Sequence, residues 1–342
     1  MHRWFTRTLT LSLTLGFTLI VACSAALAQY TPVILDSNLP GKAQHTDPLL
    51  INPWGLAYAP GGPFWVSDEG SGWSTLYDGS GNKQSLEVIV PMANGTGFGS
   101  PTGIVYNGSQ DFQIDSWASA FIFDTLDGSI QGWSHFDPST TLVAVDNSKS
   151  GASYTGLAVT TRSSGNVLFA ANFASGNVEM YDASFNLIKT FRDPILPAGV
   201  VPFGIQDING QVYVAWARAD EGPGGLIDIY SETGNLVKRL THDSHLNQPW
   251  GFAMAPSNFG PLSNTLLVSN NTDAGTINAF NPTTGKFVGT LGSHNKPFII
   301  NQLWGIEFGG GSANNGQTNQ LFVTAGPPSS NADGFFGYIQ PN

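Results

Sequence analysis

The chain has 342 residues, with 13 Lys and Arg against 24 Asp and Glu, one Cys and a formal net charge of −11. A net acidic balance disfavours nucleic acid and anionic membrane surfaces as partners, since displacing counterions from phosphates takes a cationic face. Charged residues are only 11% of the total and a single cysteine cannot close an internal disulfide, so apolar burial and backbone pairing must hold the fold.

In chain order, His2, Arg3 and Arg7 come first, followed by an apolar run that ends on Ala26-Leu27-Ala28 before Gln29. A positive flank, an apolar stretch and a small-residue cleavage site identify an export signal over 1–28. The mature chain, 29–342, is then one domain, secreted to the extracellular or periplasmic space. The alternative is a lipid anchor on Cys23, within Ile20-Val21-Ala22-Cys23. No later segment carries ~18 consecutive apolar residues, so no transmembrane segment is expected in the mature chain.

A lone strand, Tyr30 to Leu35, opens the mature chain. One phrase then recurs six times: Pro53-Trp54-Gly55-Leu56, Pro101-Thr102-Gly103-Ile104, Tyr154-Thr155-Gly156-Leu157, Pro202-Phe203-Gly204-Ile205, Pro249-Trp250-Gly251-Phe252 and Leu303-Trp304-Gly305-Ile306. The period is about fifty residues, the length of one supersecondary unit. Each phrase is followed by a second apolar run (64–68, 120–124, 167–172, 212–217, 265–270, 321–325), a Gly-bearing turn and a third run, and most repeats close on a fourth. Four short β-branched and aromatic runs per repeat, split by Gly, Asn and Asp turns, predict a four-stranded antiparallel blade. No stretch keeps a 3.6-residue period, so the fold class is all-β, a six-bladed β-propeller.

The last repeat stops at its third strand, Phe335 to Ile339. The N-terminal strand is therefore expected to supply the fourth and close the ring, which removes the unpaired edges of an open array.

The repeat resembles the NHL and SMP-30/gluconolactonase superfamily of six-bladed propellers. The phrases at 51–57 and 247–253 resemble, more closely, a bacterial exported propeller family associated with PEP-CTERM sorting systems. The chain ends at Pro341-Asn342 without a sorting tail of that kind, so anchoring by that route is not expected. WD40 and kelch signatures are absent.

In an up-and-down blade, the connection into the first strand and the turn between the second and third strands share one face. His45 precedes the first phrase, His242 and His245 the fifth, and His294 the sixth. Trp54, Trp250 and Trp304 belong to the same three blades, which are neighbours in a closed ring. Amides stand upstream of each: Asn52, then Asn247 with Gln248, then Asn301 with Gln302. This predicts a ligand-binding sector of one face formed by His45, Asn52, Trp54, His242, His245, Trp250, Asn301 and Trp304. The competing reading of each Trp is packing, since burying one contributes on the order of 4–6 kcal/mol.

Two residues after the repeat glycine stand Ala57, Val105, Ala158, Gln206, Ala253 and Glu307. A carboxylate at an otherwise uncharged inner position needs a partner or a raised pKa, so Glu307 is the candidate general acid or base, with His294 entering the same blade. His242-x-x-His245 and the Asp/Asn-rich turns raise a divalent cation, Ca²⁺ or Zn²⁺, as a candidate cofactor. No GxSxG, HExxH or phosphate-binding loop occurs.

Two functional readings follow. One is a secreted, monomeric binding module for a small molecule or an extracellular polymer or protein. The other, implied by the superfamily resemblance, is a metal-assisted lyase or hydrolase of the lactonase or streptogramin-lyase kind, with Glu307 and His294 transferring protons and His45 and His245 as ligands or electrostatic stabilisers.

Overall fold

The computed structural model describes residues 30–162, 165–294, 296–326 and 334–342. The expected export signal over 1–28, with its expected cleavage site and Cys23, lies outside them. Five four-stranded antiparallel sheets follow the first five repeats, and a five-stranded sheet follows the sixth, four antiparallel strands with the two-residue strand His45–Thr46 added in parallel at the edge. Blade one runs through Pro53–Tyr58, Phe64–Asp68, Trp73–Tyr77 and Lys83–Ile89; blade two through Pro101–Tyr106, Phe121–Thr125, Ser129–Trp133 and Leu142–Asp146. Blade three comprises Tyr154–Thr160, Val167–Asn172, Asn177–Tyr181 and Leu187–Phe191; blade four Val200–Ile208, Gln211–Arg218, Leu226–Ser231 and Leu236–Thr241. Blade five is Pro249–Met254, Leu266–Asn270, Ile277–Phe280 and Phe287–Thr290. A small hairpin, Gln113–Ile114 with Trp117–Ala118, is inserted in blade two.

Blade six combines both ends of the chain. Leu303–Phe308, Leu321–Ala325 and Phe335–Pro341 supply three strands, and Tyr30–Ser37 supplies the fourth. The pairing is antiparallel, with Val33 opposite Tyr338 and Ile34 opposite Gly337, as the sequence led us to expect. The Tyr30 hydroxyl then donates to the Phe259 carbonyl and accepts from the Leu262 N–H, tying the added strand to blade five.

Burial shows why the ring closes. Every neighbouring pair of blades shares one apolar core, including blades six and one, where Leu35, Phe322 and Phe336 pack on Leu56, Phe64 and Tyr77. An open arc of six blades would leave one such face in water.

The repeat glycines sit where consecutive inner strands approach most closely. A Cβ on Gly204 would lie 1.9 Å from the Trp250 carbonyl oxygen of the next blade, and one on Gly305 would lie 2.6 Å from that of Trp54. No larger residue fits there. Polar residues at the end of the second strand fasten three of these approaches. Thr324 Oγ1 accepts the Gly305 N–H and donates to the Trp54 carbonyl; Ser269 Oγ does the same for Gly251 and Trp304. Asp124 accepts from Thr102 Oγ1 and from the Gly103 and Gly156 N–H groups, joining blades two and three.

Candidate functional site

The inner strands enclose a channel that narrows to about 30 Å³ at the repeat glycines, room for a water molecule or two. It opens into a different cavity at each end.

The larger cavity, about 570 Å³, lies at the end where the inner strands begin. Its floor is aromatic. Trp54 and Trp304 stack with centroids 3.5 Å apart and planes 16° apart, and Trp250 stands edge-on to both. Phe203 packs against Trp54 and Trp304, and Phe173 against Phe203. Two of the tryptophans are also anchored by their indole N–H. That of Trp250 donates to the Thr155 carbonyl at 2.8 Å, and that of Trp304 to Asn52 Oδ1 at 3.1 Å. Trp54 Nε1 is buried without a partner among the described residues.

The wall is polar and comes from the loops that enter blades five and six and from the turns of blades four and five. Gln248 Nε2 donates to the Gly222 carbonyl at 2.7 Å, and Gln302 Nε2 to Asp273 Oδ1 at 2.8 Å. Arg218 pairs with Asp220 at the rim. Asn247, which also lines the cavity, has its Oδ1 buried without a partner among the described residues.

The backbone here is unusual. Asn52, Gln248 and Gln302, each directly before a Trp-bearing phrase, have φ of 47°, 50° and 48°. Left-handed glutamines cost of order 1–3 kcal/mol and persist only where their surroundings hold them. Here the bonds to Gly222 and Asp273 do so, and both glutamines line the cavity.

Of the residues expected from sequence, Trp54 and Trp304 line this cavity and Trp250 lines the channel beneath it. Asn52 is buried behind Trp304, where it also donates to Glu69 Oε2, and Asn301 is exposed and is not part of the lining.

The structure does not bring the histidines to this cavity. His245 is exposed, bonded to Asp243 and stacked flat on Phe287 of an outer strand with centroids 3.6 Å apart. His45 is exposed with its Nδ1 3.8 Å from Asp36, His242 is exposed, and His294 is exposed and bonded to Ser293 Oγ. The loops do approach this face, but none of these imidazoles lines the cavity. Among the described residues, no group of three or more His, Cys, Asp or Glu side chains is placed to hold a metal ion.

Two lining residues, Phe173 and Phe203, were not singled out from sequence. Phe203 stands at the Trp position of its own repeat, and that was the available signal.

Glu307 belongs to the opposite end. A second cavity, about 320 Å³, is lined by Tyr58, Tyr106, Gln206, Asp207, Glu307 and the apolar ends of the inner strands. Burial pushes the Glu307 carboxyl up to about 7, and burial with the nearby Glu307 charge pushes the Tyr58 phenol up to about 12. Asp207 is also raised by burial, against the bonds it accepts from Thr160 Oγ1 and the Gly210 N–H. His294 does not line this cavity.

The geometry defines a closed six-bladed β-propeller with an aromatic, amide-walled cavity at one mouth and a carboxylate-bearing one at the other. The chain belongs to the family of the uncharacterised proteins R648 and L690 of Acanthamoeba polyphaga mimivirus. It is 32% identical to the first over 330 residues, covering 89% of this chain and 78% of that protein, and 30% identical to the second over 306 residues, covering 82% and 79%. No protein-family profile matches it.

Among solved structures it is similar to a Xanthomonas campestris gluconolactonase, with TM-score 0.54, 14% identity and coverage of 85% of this chain and 87% of that one. It is likewise similar to a streptogramin B lyase, with TM-score 0.53, 13% identity and coverage of 92% and 98%. At these identities the likeness is one of fold. No helix among the described residues is long and apolar enough to cross a membrane.

Proposed function

We propose that the chain is an exported binding module that takes a neutral, polyhydroxylated ligand such as a glycan in the tryptophan-floored cavity. The carrying observation is the cavity itself: about 570 Å³, with aromatic residues at its base and amides in its wall. That size and lining fall within the range of small-ligand sites. Export rests on the 1–28 segment, with a lipid anchor at Cys23 as the alternative; the relatives found are viral proteins and not the bacterial PEP-CTERM-associated family that the phrases at 51–57 and 247–253 suggested, so that resemblance supports no part of it.

Intrinsic tryptophan fluorescence, titrated with a panel of neutral oligosaccharides, tests the reading. At least one should shift the emission, and Phe173→Ala and Gln302→Ala should each weaken binding at least tenfold in protein that circular dichroism shows to be folded. No response across the panel, or a response that both variants leave intact, sinks it.

A lyase or hydrolase reading keeps one observation in its favour, the Glu307 carboxyl poised near neutral pH in its own cavity. The gluconolactonase and streptogramin B lyase of similar fold make a turnover assay on gluconolactone and streptogramin B worthwhile. Activity abolished by Glu307→Gln would establish this reading in place of the first.

A further inference from the structure

The mouth opposite the tryptophans holds chemistry that the binding reading leaves unused. Gln206 and Glu307 are the two polar residues among six at the position two after the repeat glycine. Both line the channel waist and the second cavity. Neither side chain has a hydrogen-bond partner among the described residues, whereas Asp124, the buried carboxylate at the waist, is saturated by donors. Glu307 is therefore a carboxylate facing the second cavity with its acceptor capacity unused by the protein. A second carboxylate, Asp207, faces the same cavity from blade four, with Tyr58 and Tyr106 beside it and Leu56, Ile104 and Val159 along the wall.

We propose that this mouth binds an aliphatic amine, its ammonium seated between the Glu307 carboxylate and the Gln206 amide oxygen and its hydrocarbon laid along the apolar wall. Two carboxylates and no Lys or Arg in the lining reject anions. An ammonium brings three donors to a site that offers acceptors, and the tyrosine rings add cation–π attraction. A divalent metal fits poorly, because no three acidic or imidazole groups converge among the described residues, and such ions need six or more oxygens or a tetrahedral set. Asp207, on a different wall from Glu307, gives a diamine a second anchor. The chain's net charge of −11 draws cations to both mouths.

Isothermal titration of the mature chain with n-butylammonium, 1,4-diaminobutane, n-butanol and calcium chloride tests this assignment. The amines should bind at least tenfold more tightly than the alcohol, and the diamine more tightly than the monoamine. Glu307→Gln should cost tenfold or more for both amines. Asp207→Asn should lower diamine affinity several-fold and leave butylammonium unchanged.

Gln206→Lys, which supplies the ammonium internally, should abolish amine binding while raising the thermal midpoint, and so keeps the test valid if another variant folds poorly. Affinity should fall below about pH 7 as Glu307 takes up its proton. The other titratable groups facing the cavity are Asp207, with Glu232 near it, Tyr58 and Tyr106. Equal binding of butanol and butylammonium, calcium binding in place of amine, or no amine binding overturns the proposal. None of these variants touches the tryptophan cavity, so failure here and failure of the glycan reading are separable.

Discussion

Trp54 of the first blade and Trp304 of the last lie ring on ring, 3.5 Å between centroids, across the junction where the chain's two ends meet. The contact is at once the floor of the larger cavity and part of the apolar cluster at the hub, shared with Phe203 and Trp250. Because Trp304 also donates to Asn52, its removal deletes packing and orphans a buried amide oxygen. Trp304→Ala should cost about 3–5 kcal/mol in urea unfolding, and Trp304→Phe clearly less. A loss within experimental error for Trp304→Ala would contradict the placement.

Gly204 has no room for a methyl group, since the Trp250 carbonyl oxygen already occupies the Cβ position. The clash is with backbone, which cannot rotate away. Gly204→Ala should therefore destabilise by more than ~3 kcal/mol, whereas Gly210→Ala, with nothing within 4 Å but a φ of +76°, should cost about 1 kcal/mol for the left-handed backbone. Differential scanning calorimetry of the two proteins gives the comparison.

Asp124 fastens blade two to blade three through two backbone N–H groups and the Thr102 hydroxyl. Burial nonetheless pushes its carboxyl up to about 6, with the hydrogen bonds working against that shift. Asp124→Ala strands two backbone N–H groups, the Thr102 hydroxyl keeping the Tyr154 carbonyl as acceptor, and should cost on the order of 3 kcal/mol, measured by urea unfolding. Asp124→Asn keeps one acceptor oxygen and should cost less.

Buried carboxylates, Asp36 and Glu307 among them, make the fold prefer mild acid. Asp36 is buried at the ring junction with neither oxygen hydrogen-bonded, and burial, then Asp47 and Asp78, raise its pKa to about 7 against an ordinary 3.8. Glu307 is raised to about 7 by burial. A folded-state pKa above the unfolded value means the folded chain holds more protons between the two. The stability present below about pH 4 is therefore lost as pH rises to about 7 and changes little beyond. Asp36→Asn should raise stability at pH 8 by on the order of 3 kcal/mol and have almost no effect at pH 4. Thermal midpoints of wild type and variant across pH 4–8 decide it; an offset independent of pH would refute the assignment.

The repeat carried most of the fold. Six Gly-centred phrases and a chain ending on a third strand were enough to place Tyr30–Ser37 beside Phe335–Pro341, because a ring with one blade missing a strand admits few other partners. The site was legible only in part. Trp54 and Trp304 are where strand order puts them, since a strand's first residues point at the mouth from which the strand starts. The histidines are not, because a loop's position around the ring does not fix its side chains' direction, and Asp243 with Phe287 draws His245 to the outer margin. Glu307 was marked as anomalous by comparing six equivalent positions. That it faces the far mouth follows from its place four residues into an inner strand, a geometric step that composition does not supply. The left-handed glutamines leave no trace in sequence beyond their identity.

Both mouths exist only if the chain's ends pair to complete the sixth blade. The most direct test is an engineered cross-link between Val33→Cys and Tyr338→Cys, which face each other in the antiparallel register, made in a Cys23→Ser background. Opposed residues in such a ladder have Cα atoms about 4.5–5.5 Å apart, within disulfide reach. Mild oxidation should join them within one chain, detected as a mass loss of two hydrogens and a linked tryptic peptide, and should raise the thermal midpoint. Free thiols after oxidation, or a disulfide formed only between chains, would contradict the closed ring and the two cavities it encloses.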